Sequence, residues 1–280
     1  MRVIKALWLR NIKTFMRDRT RLIISLIIPF FFIYIFSSIF KTEYVDNPTA
    51  FMLAGVVIVT VFQTSLSLAT STIDDVVSGF MKEVLVSPAS RTQVAIGQLL
   101  SAATVATVQG FLILIIGLFT GLSFDRWFTP LYVIAAMILV GLVFSGLGLF
   151  LASHVESAST FQVVQQAIVL PFTFLSGAYI PLSLLPKTLR FVSLFNPMTY
   201  TTAFFRTIIL EKTNASTEQL LNEGLAFKIN GFVITPFISG VIVIILGLFF
   251  LFLAAYSFRK ADFTKFTRTG NSKAPSHRAN

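Results

Sequence analysis

The sequence contains no cysteine and few charged residues. The absence of cysteine excludes disulfide frameworks and thiolate metal sites, and the two histidines, His154 and His277, are far apart in the chain. Charged residues make up 12% of the 280 residues, whereas about a quarter is usual for a soluble domain. Hydrophobic residues make up 55%, and the mean hydropathy is +0.82. This composition predicts a polytopic membrane protein.

Motifs for nucleotide and ion chemistry are also missing. No GxxxxGK[ST] sequence occurs, which excludes a P-loop, and no Asp, Glu, Lys, Arg or His falls inside the core of the spans predicted below. Coupled carriers usually need ionisable groups at depth, and membrane hydrolases need paired acids, an activated nucleophile or a metal. We therefore expect no catalytic residue, metal or cofactor in this chain, and any energy must come from another subunit.

Apolar segments of spanning length recur along the chain. A transmembrane helix needs roughly 17–25 apolar residues. Six segments fit, at 22–40, 51–73, 94–119, 130–152, 161–180 and 232–258. The predicted fold class is all-α integral membrane, with six transmembrane helices in a permease domain over 22–258.

Both ends of the chain are basic. Residues 1–21 carry seven Lys or Arg with apolar residues at helical spacing between them, which predicts an amphipathic helix in the membrane interface. A signal peptide is the less favoured alternative, because the basic region is long and no small-residue cleavage site follows. Residues 259–280 form a basic tail. Most of the net charge of +10 lies at these ends, beside spans, so membrane lipid rather than nucleic acid is the expected partner.

The distribution of Lys and Arg predicts the topology. Six spans place both termini on one side, and that side then holds 15 Lys and Arg against 7 on the other. The positive-inside rule therefore puts both termini in the cytoplasm of a multi-pass protein of the inner or plasma membrane.

A short amphipathic helix is predicted at 79–88, on the cytoplasmic side between the second and third spans. Its apolar face holds Phe80, Met81, Val84 and Leu85, and Pro88 ends it, because a residue before proline leaves the helical region. Ser90 to Gln93 forms a capping box that starts the next span. The segment is either an ordinary interfacial helix or a coupling element that docks into a cytoplasmic motor.

The segment 181–210 is too short in each of its parts to span. Prolines 181 and 186 break it, Asn196-Pro197 breaks it again, and the last apolar run, 198–210, is only thirteen residues long. Irregular backbone at membrane depth must pack against other spans. We therefore expect short re-entrant helices that act as a gate or cap.

Polar residues form stripes on the predicted spans. Such stripes either pack helices together or line a substrate pathway. The second and fifth spans are the favoured pathway, because glutamines facing lipid are costly. The candidate pathway residues are Gln63, Thr64, Ser67, Gln162, Gln166, Thr173 and Ser176.

Two sequence motifs resemble one family. Residues 83–91, Glu-Val-Leu-Val-Ser-Pro-Ala-Ser-Arg, resemble the cytoplasmic-loop signature of the ATP-binding-cassette type-2 permeases. Residues 175–181, Leu-Ser-Gly-Ala-Tyr-Ile-Pro, with Leu185-Pro186 and 195–200, Phe-Asn-Pro-Met-Thr-Tyr, are similar to the second signature of that family. The resemblance covers nearly the whole chain and is greatest to drug-resistance permeases of the daunorubicin-exporter type.

The resemblance implies a permease subunit that is not itself an enzyme. Two such chains, identical or not, would pair, and two separate ATPase subunits would bind ATP and Mg and dock beneath them. The residues implied in coupling to the ATPase are Phe80, Met81, Glu83, Val84, Leu85, Ser87, Pro88 and Arg91. Those implied in an extracellular gate are Tyr179, Pro181, Pro186, Asn196 and Pro197.

Three functions remain open at this point. The favoured one is export of an amphipathic or lipid-like molecule of the drug or antibiotic class, driven by ATP. The second is export of a lipid-linked polysaccharide or teichoic acid by the same architecture. The third is a membrane assembly protein with no transport cycle, which would work without an ATPase.

Overall fold

The computed structural model describes residues 2–39, 48–86, 90–119, 121–229 and 232–261. Within these ranges the regular secondary structure is helical except for one small hairpin. The helices are α1 (Arg2–Arg17), α2 (Arg19–Ile39), α3 (Pro48–Ser67), α4 (Thr70–Val77), α5 (Phe80–Val86), α6 (Arg91–Phe119), α7 (Thr129–Ala152), α8 (Ala158–Phe174), α9 (Lys187–Ser193), α10 (Pro197–Ile209), α11 (Thr217–Asn222) and α12 (Pro236–Lys260). Strands β1 (Phe227–Ile229) and β2 (Phe232–Ile234) pair antiparallel, with Phe227 opposite Ile234.

Four stretches of the described chain are long and apolar enough to cross a membrane: Thr49–Val77, Arg91–Phe119, Thr129–Ala152 and Pro236–Lys260. They correspond to the second, third, fourth and sixth predicted spans. In α2 the apolar part is the shorter stretch Leu22–Ile35. Helix α8 has 17 residues and is therefore about 25 Å long, which is less than the ~30 Å hydrocarbon core.

Helix α3 lies at the centre of the bundle. It packs against α6, α7 and α10, and the rings of Phe62 and Phe144 meet edge to face with 4.5 Å between centroids. Gly148 of α7 lies against α3 so closely that an added Cβ would be 2.7 Å from the carbonyl oxygen of Leu66. Gly148 therefore serves the close packing of α7 on α3.

The bundle has two distinct ends. Helix α1 packs against α6, and Leu7 shares a buried cluster with Ala254 and Phe258 from the last turns of α12; we call this the α1 end. The β-hairpin leads into the first turn of α12, where Phe227 and Ile234 pack with Leu182. We call this the hairpin end, and the length of α12 separates the two.

The predicted fifth span, 161–180, is wrong in its length. Helix α8 ends at Phe174, and residues 175–180 form turns that include Gly177 at a φ of +79°. This conformation suits glycine and ends the helix. The carbonyl groups of Gly177 and Ala178 then accept hydrogen bonds from Arg206 instead of continuing α8.

The start of the predicted sixth span is also corrected. Residues 232–234 are a strand, and α12 begins at Pro236, capped by the hydroxyl of Thr235. β-branched and aromatic residues on both sides of the turn favour this hairpin over helix. The expected all-α fold therefore includes a two-stranded sheet. Helix α12 also runs on through Arg259 and Lys260, the first two residues of the predicted tail, and the rest of that tail from 262 lies outside the described residues.

Candidate functional site

A cavity of about 350 Å³ lies between α2, α3, α6 and α8. Four of the predicted pathway residues line it, together with Tyr179 of the predicted gate. The lining residues that matter below are Ser25, Pro29, Phe32, Gln63, Thr64, Gln109, Gln165, Gln166, Thr173, Phe174 and Tyr179. The structure thus brings together residues from the two spans favoured in the sequence.

The polar groups of the cavity are amides and hydroxyls. Thr64 Oγ1 donates to Gln109 Oε1 at 2.7 Å. The hydroxyl of Thr173 is buried without a hydrogen-bond partner in the structure. Pro29 lacks the N–H that would bond the carbonyl of Ser25, and both residues line the cavity. No ionisable side chain other than the Tyr179 phenol lines the cavity among the described residues.

Aromatic rings form one wall of the cavity. Phe32 and Tyr179 stack with 5.3 Å between centroids, and Phe174 meets Tyr179 edge to face at 6.0 Å. The cavity therefore presents flat apolar faces opposite uncharged polar groups, a combination that fits an amphipathic molecule.

The side of the cavity formed by α2 and α8 is open. Ile28 of α2 is 54% exposed, and Gln166 of α8 is also exposed. Gln162 is exposed one turn before Gln166 on the same face of α8, but it does not line the cavity. Amides facing lipid are costly, so this face is expected to meet polar surroundings or another chain.

Two further predicted pathway residues turn away from the cavity. The hydroxyl of Ser67 donates to the carbonyl of Thr64 at 3.1 Å, and that of Ser176 to the carbonyl of Thr173 at 2.7 Å. Neither residue is among those that line the cavity. Both satisfy their hydroxyls on their own backbone, as hydroxyl residues in membrane helices commonly do.

At the hairpin end, Asn196 ties α10 to α8. Its side-chain oxygen accepts from the N–H of Met198 at 2.9 Å, and its side-chain nitrogen donates to the carbonyl of Phe172 at 2.8 Å. Pro197 takes the first position of α10, where its missing N–H costs nothing. Pro181 and Pro186 likewise directly precede the 3-10 turn Leu182–Leu184 and α9. The predicted breaks are therefore element boundaries.

Arg206 is a buried cation that was not among the predicted site residues. Nη1 donates to the carbonyl of Gly177 at 3.0 Å and Nη2 to that of Ala178 at 2.9 Å. The guanidinium carbon lies 3.5 Å from the centroid of the Phe51 ring. Gly55 makes this approach possible, because a Cβ there would be 2.0 Å from the Ala178 oxygen. Arg206 thus joins α3, α10 and the turn after α8.

Glu211, also at the hairpin end, fastens the start of α7. Its carboxylate accepts from the N–H of Asp125 at 3.0 Å, from the N–H of Arg126 at 3.1 Å and from the hydroxyl of Thr129. Slight burial alone raises the pKa of Glu211. The three hydrogen bonds and the nearby Arg126 charge outweigh this effect and hold the pKa below its ordinary value.

At the α1 end, Arg10 connects three helices. Its Nη2 lies 2.6 Å from the carboxylate of Asp75 in α4, and its guanidinium lies 4.2 Å from the ring centroid of Phe80 in α5. Asp75 also accepts from the side chain of Gln98 in α6 at 3.2 Å. Neither Arg10 nor Asp75 was among the predicted site residues.

Helix α1 is attached to α6 by polar groups as well as by apolar packing. Asn11 donates to Gln98 at 2.6 Å and to Ser101 at 2.9 Å, and Trp8 Nε1 donates to Thr104 at 2.9 Å. The predicted amphipathic helix is therefore present, but part of its length is fixed against the spans.

The predicted coupling residues divide into buried and exposed groups. Met81 is buried and Phe80 and Val84 are half-buried, whereas Glu83 is exposed. Arg91 donates to the carbonyl groups of Arg259 and Ala261 at 3.0 and 2.9 Å, so it caps the end of α12. Of the remaining predicted coupling residues, Leu85 lies in α5, and Ser87 and Pro88 lie outside the described residues.

The capping box predicted before the third span is confirmed. Ser90 N–H donates to Gln93 Oε1, and Gln93 N–H donates to Ser90 Oγ, each at 3.2 Å. Helix α6 therefore begins sharply at Arg91, directly after the loop that follows α5.

One known protein family matches most of the chain. The family model described as ABC-2 type transporter matches residues 2–210, from α1 through α10. The chain belongs to the ABC-2 type transporter family. The predicted resemblance is therefore confirmed, and the family is one of membrane transport components.

Individual relatives of this ABC-2 protein are distant. It is 27% identical over 191 residues to the transport permease ycf38 of Cyanophora paradoxa, and this match covers 64% of each chain. It is 29% identical over 117 residues to nodulation protein J of Rhizobium leguminosarum bv. trifolii, which covers 42% of this chain and 44% of the relative. Each of these matches spans less than two thirds of the relative's length.

Proposed function

We propose that this protein is the transmembrane subunit of an ATP-driven exporter of amphipathic or lipid-like molecules, with the cavity between α2, α3, α6 and α8 as part of the pathway. The observation that carries the proposal is the lining of that cavity. Amides and hydroxyls stand opposite stacked rings, and no formally charged side chain lines it among the described residues. Such a site suits a molecule with an apolar body and an uncharged polar part.

The same lining supports a second candidate, a lipid-linked saccharide. Amide side chains pair with hydroxyl groups, and the stacked faces of Phe32 and Tyr179 offer a flat apolar surface to a sugar ring. The two substrate classes differ in how many hydroxyls must be satisfied, so they can be separated by transport assays with one compound of each class.

A second permease chain would complete the pathway. The open side of the cavity carries the apolar residue Ile28 of α2, which is 54% exposed, beside the exposed Gln166 of α8. A chain packed on this side would cover both kinds of residue. We propose that both termini are cytoplasmic, that the α1 end meets two ATPase subunits, and that Glu83 contacts one of them.

Thr173→Val provides the sharpest test of the pathway. The two side chains have nearly the same shape, and the Thr173 hydroxyl has no hydrogen-bond partner in the structure, so the variant should fold normally. If substrate uses this hydroxyl, its apparent affinity should fall about fivefold, the value of one hydrogen bond. Transport and substrate-stimulated ATPase activity would be measured in proteoliposomes that contain the permease and its ATPase.

Thr207→Val is the matched control. Thr207 is also buried, but its hydroxyl donates to the carbonyl of Ala203 at 2.8 Å, away from the cavity. An amphipathic drug without a formal charge and a lipid-linked oligosaccharide would serve as the two test substrates. Unchanged affinity for both in Thr173→Val would exclude a hydrogen bond between substrate and the Thr173 hydroxyl. Full biological function without any ATPase would instead favour a membrane assembly protein.

A further inference from the structure

A second cavity, of about 420 Å³, lies at the hairpin end and is distinct from the proposed pathway. It is enclosed by α9, the 3-10 turn before it, the loop after α11, and β1. Its lining residues are Leu182, Lys187, Arg190, Phe191, Ser193, Leu194, Leu221, Gly224, Ala226, Phe227 and Lys228. We call it the α9 pocket.

Three cations line the α9 pocket. Lys187 and Arg190 come from α9, and Lys228 comes from β1 on the opposite wall. No carboxylate lines the pocket among the described residues. The acidic residue that directly precedes Gly224, Glu223, is paired with Lys212 at 2.9 Å. Cations that converge on one concavity repel each other unless an anion lies between them.

Arg190 is held in position at the wall of this pocket. Its Nε donates to the carbonyl of Leu182 at 3.2 Å and its Nη2 donates to the carbonyl of Leu185 at 3.4 Å, and these bonds anchor the guanidinium. The cation is therefore fixed before any anion arrives, which lowers the entropy that binding would cost.

Helix α9 carries its cations on the side of the pocket, where Lys187 and Arg190 are exposed, and apolar side chains on its other side. Lys187, Arg190 and Leu194 recur at helical spacing and line the pocket, whereas Leu189 and Val192 are 42% and 44% exposed. A water-soluble helix has the opposite arrangement. Outward apolar residues place α9 against lipid tails or another chain, and the cations then face a polar occupant of the pocket.

The same pocket has an apolar wall. Leu182 and Phe227 are buried there, and Phe191 is 61% exposed at its edge. A small inorganic anion has no apolar surface that could pack against this wall. A lipid would use both parts, with its phosphate between the cations and the first carbons of its chains against Leu182 and Phe227.

We infer that the α9 pocket binds the anionic phosphate headgroup of a membrane lipid at the hairpin end of the bundle. This site does not depend on the transport proposal, because the lipid remains a ligand whether or not the chain exports anything. Lys187, Arg190 and Lys228 bind the phosphate, and Phe191 covers the glycerol end of the chains.

A photoactivatable phosphatidylglycerol tests the inference. The full chain would be reconstituted in nanodiscs that contain this probe, irradiated, and digested, and labelled peptides would be identified by mass spectrometry. We expect label in peptides that contain 182–194 and 224–228. A phosphatidylcholine probe, which has no net charge, should label these peptides much less.

The double variant Lys187→Gln/Lys228→Gln should reduce this label about 30-fold at sub-saturating probe, since each cation near an anionic lipid contributes roughly fivefold to affinity. Lys5→Gln/Lys13→Gln, which removes two exposed cations from α1, should leave it unchanged. Phe191→Ser should also lower the label without any change of charge. Melting temperatures of all variants would be compared, to separate lost binding from lost folding.

Three results would each overturn the inference. They are equal labelling by the two lipid probes, unchanged labelling in Lys187→Gln/Lys228→Gln, and complete competition by glycerol 3-phosphate at the concentration of the lipid. The last would assign the pocket to a soluble phosphate rather than to a lipid.

Discussion

Replacing Arg10 with glutamine would remove the cation that, among the described residues, bonds Asp75, while keeping an amide that can still donate. The Asp75 side chain is 12% exposed and that of Arg10 is 35% exposed. Breaking a fully buried ion pair costs about 3–5 kcal/mol, and breaking an exposed pair costs about 0–1 kcal/mol. Since one partner is buried and the other is partly solvated, we expect Arg10→Gln to lower the free energy of unfolding by about 2 kcal/mol.

The loss should depend on the carboxylate. Asp75→Asn removes the buried charge but keeps an oxygen that can accept from Gln98. The double variant Arg10→Gln/Asp75→Asn should therefore be more stable than Arg10→Gln alone, with an interaction free energy of about 1–2 kcal/mol in the double-mutant cycle. Thermal unfolding of the purified chain in detergent measures stability, and substrate-stimulated ATPase activity of the assembled transporter measures coupling.

Lys13→Gln is the control, because Lys13 is an exposed cation on the same helix. It should change the free energy of unfolding by no more than a few tenths of a kcal/mol and leave the substrate-stimulated ATPase activity unchanged. Additive effects of Arg10→Gln and Asp75→Asn would refute the reasoning, since two residues that stabilise each other cannot act independently. Normal coupling in Arg10→Gln would restrict the pair to a role in stability.

Three other perturbations address the hairpin end and the topology. Gly55→Ala places a methyl group 2.0 Å from the Ala178 oxygen, so it should destabilise the fold by about 1–3 kcal/mol, measured by thermal unfolding. The pKa of Glu211 is depressed from 4.5, so its contribution to stability is present above that pH and is lost as pH falls through the folded-state value; Glu211→Gln should abolish this part of the acid sensitivity in melting curves. With cytoplasmic termini, a cysteine at Gln219 should react with an impermeant thiol reagent on intact cells and one at Lys13 should not. The reverse pattern would contradict the topology.

The long helices were predictable because each is defined by local sequence. The third and fourth predicted spans differ from α6 and α7 by at most three residues, since a capping box and a proline mark where those helices begin. The boundaries of α9 and α10 were likewise set by Pro186 and Pro197. Proline acts on the residues beside it, and such effects can be inferred without knowledge of the tertiary structure.

Contacts between distant segments were not predictable in the same way. The end of α8 depends on Arg206, which is 28 residues away from Ala178 in the chain. An arginine inside an apolar run was the available signal, because a buried guanidinium must find acceptors nearby. The sequence around Arg206 does not predict which carbonyl groups accept these hydrogen bonds. For the same reason Asn11 was seen as part of a surface helix, although it bonds Gln98 across 87 residues.

The cap that Arg91 places on α12 has a consequence for how mutations in this region behave. Its two acceptors are main-chain carbonyl groups, of Arg259 and Ala261, so the contact is indifferent to the side chains at those positions. Substitutions at 259 or 261 can therefore leave the bond intact, and none of them can restore it once Arg91 is lost. What Arg91 requires is that the chain continue to residue 261 and turn there. A genetic screen for compensating changes would find them elsewhere, and a stop codon before residue 259 would remove both acceptors while leaving Arg91 in place.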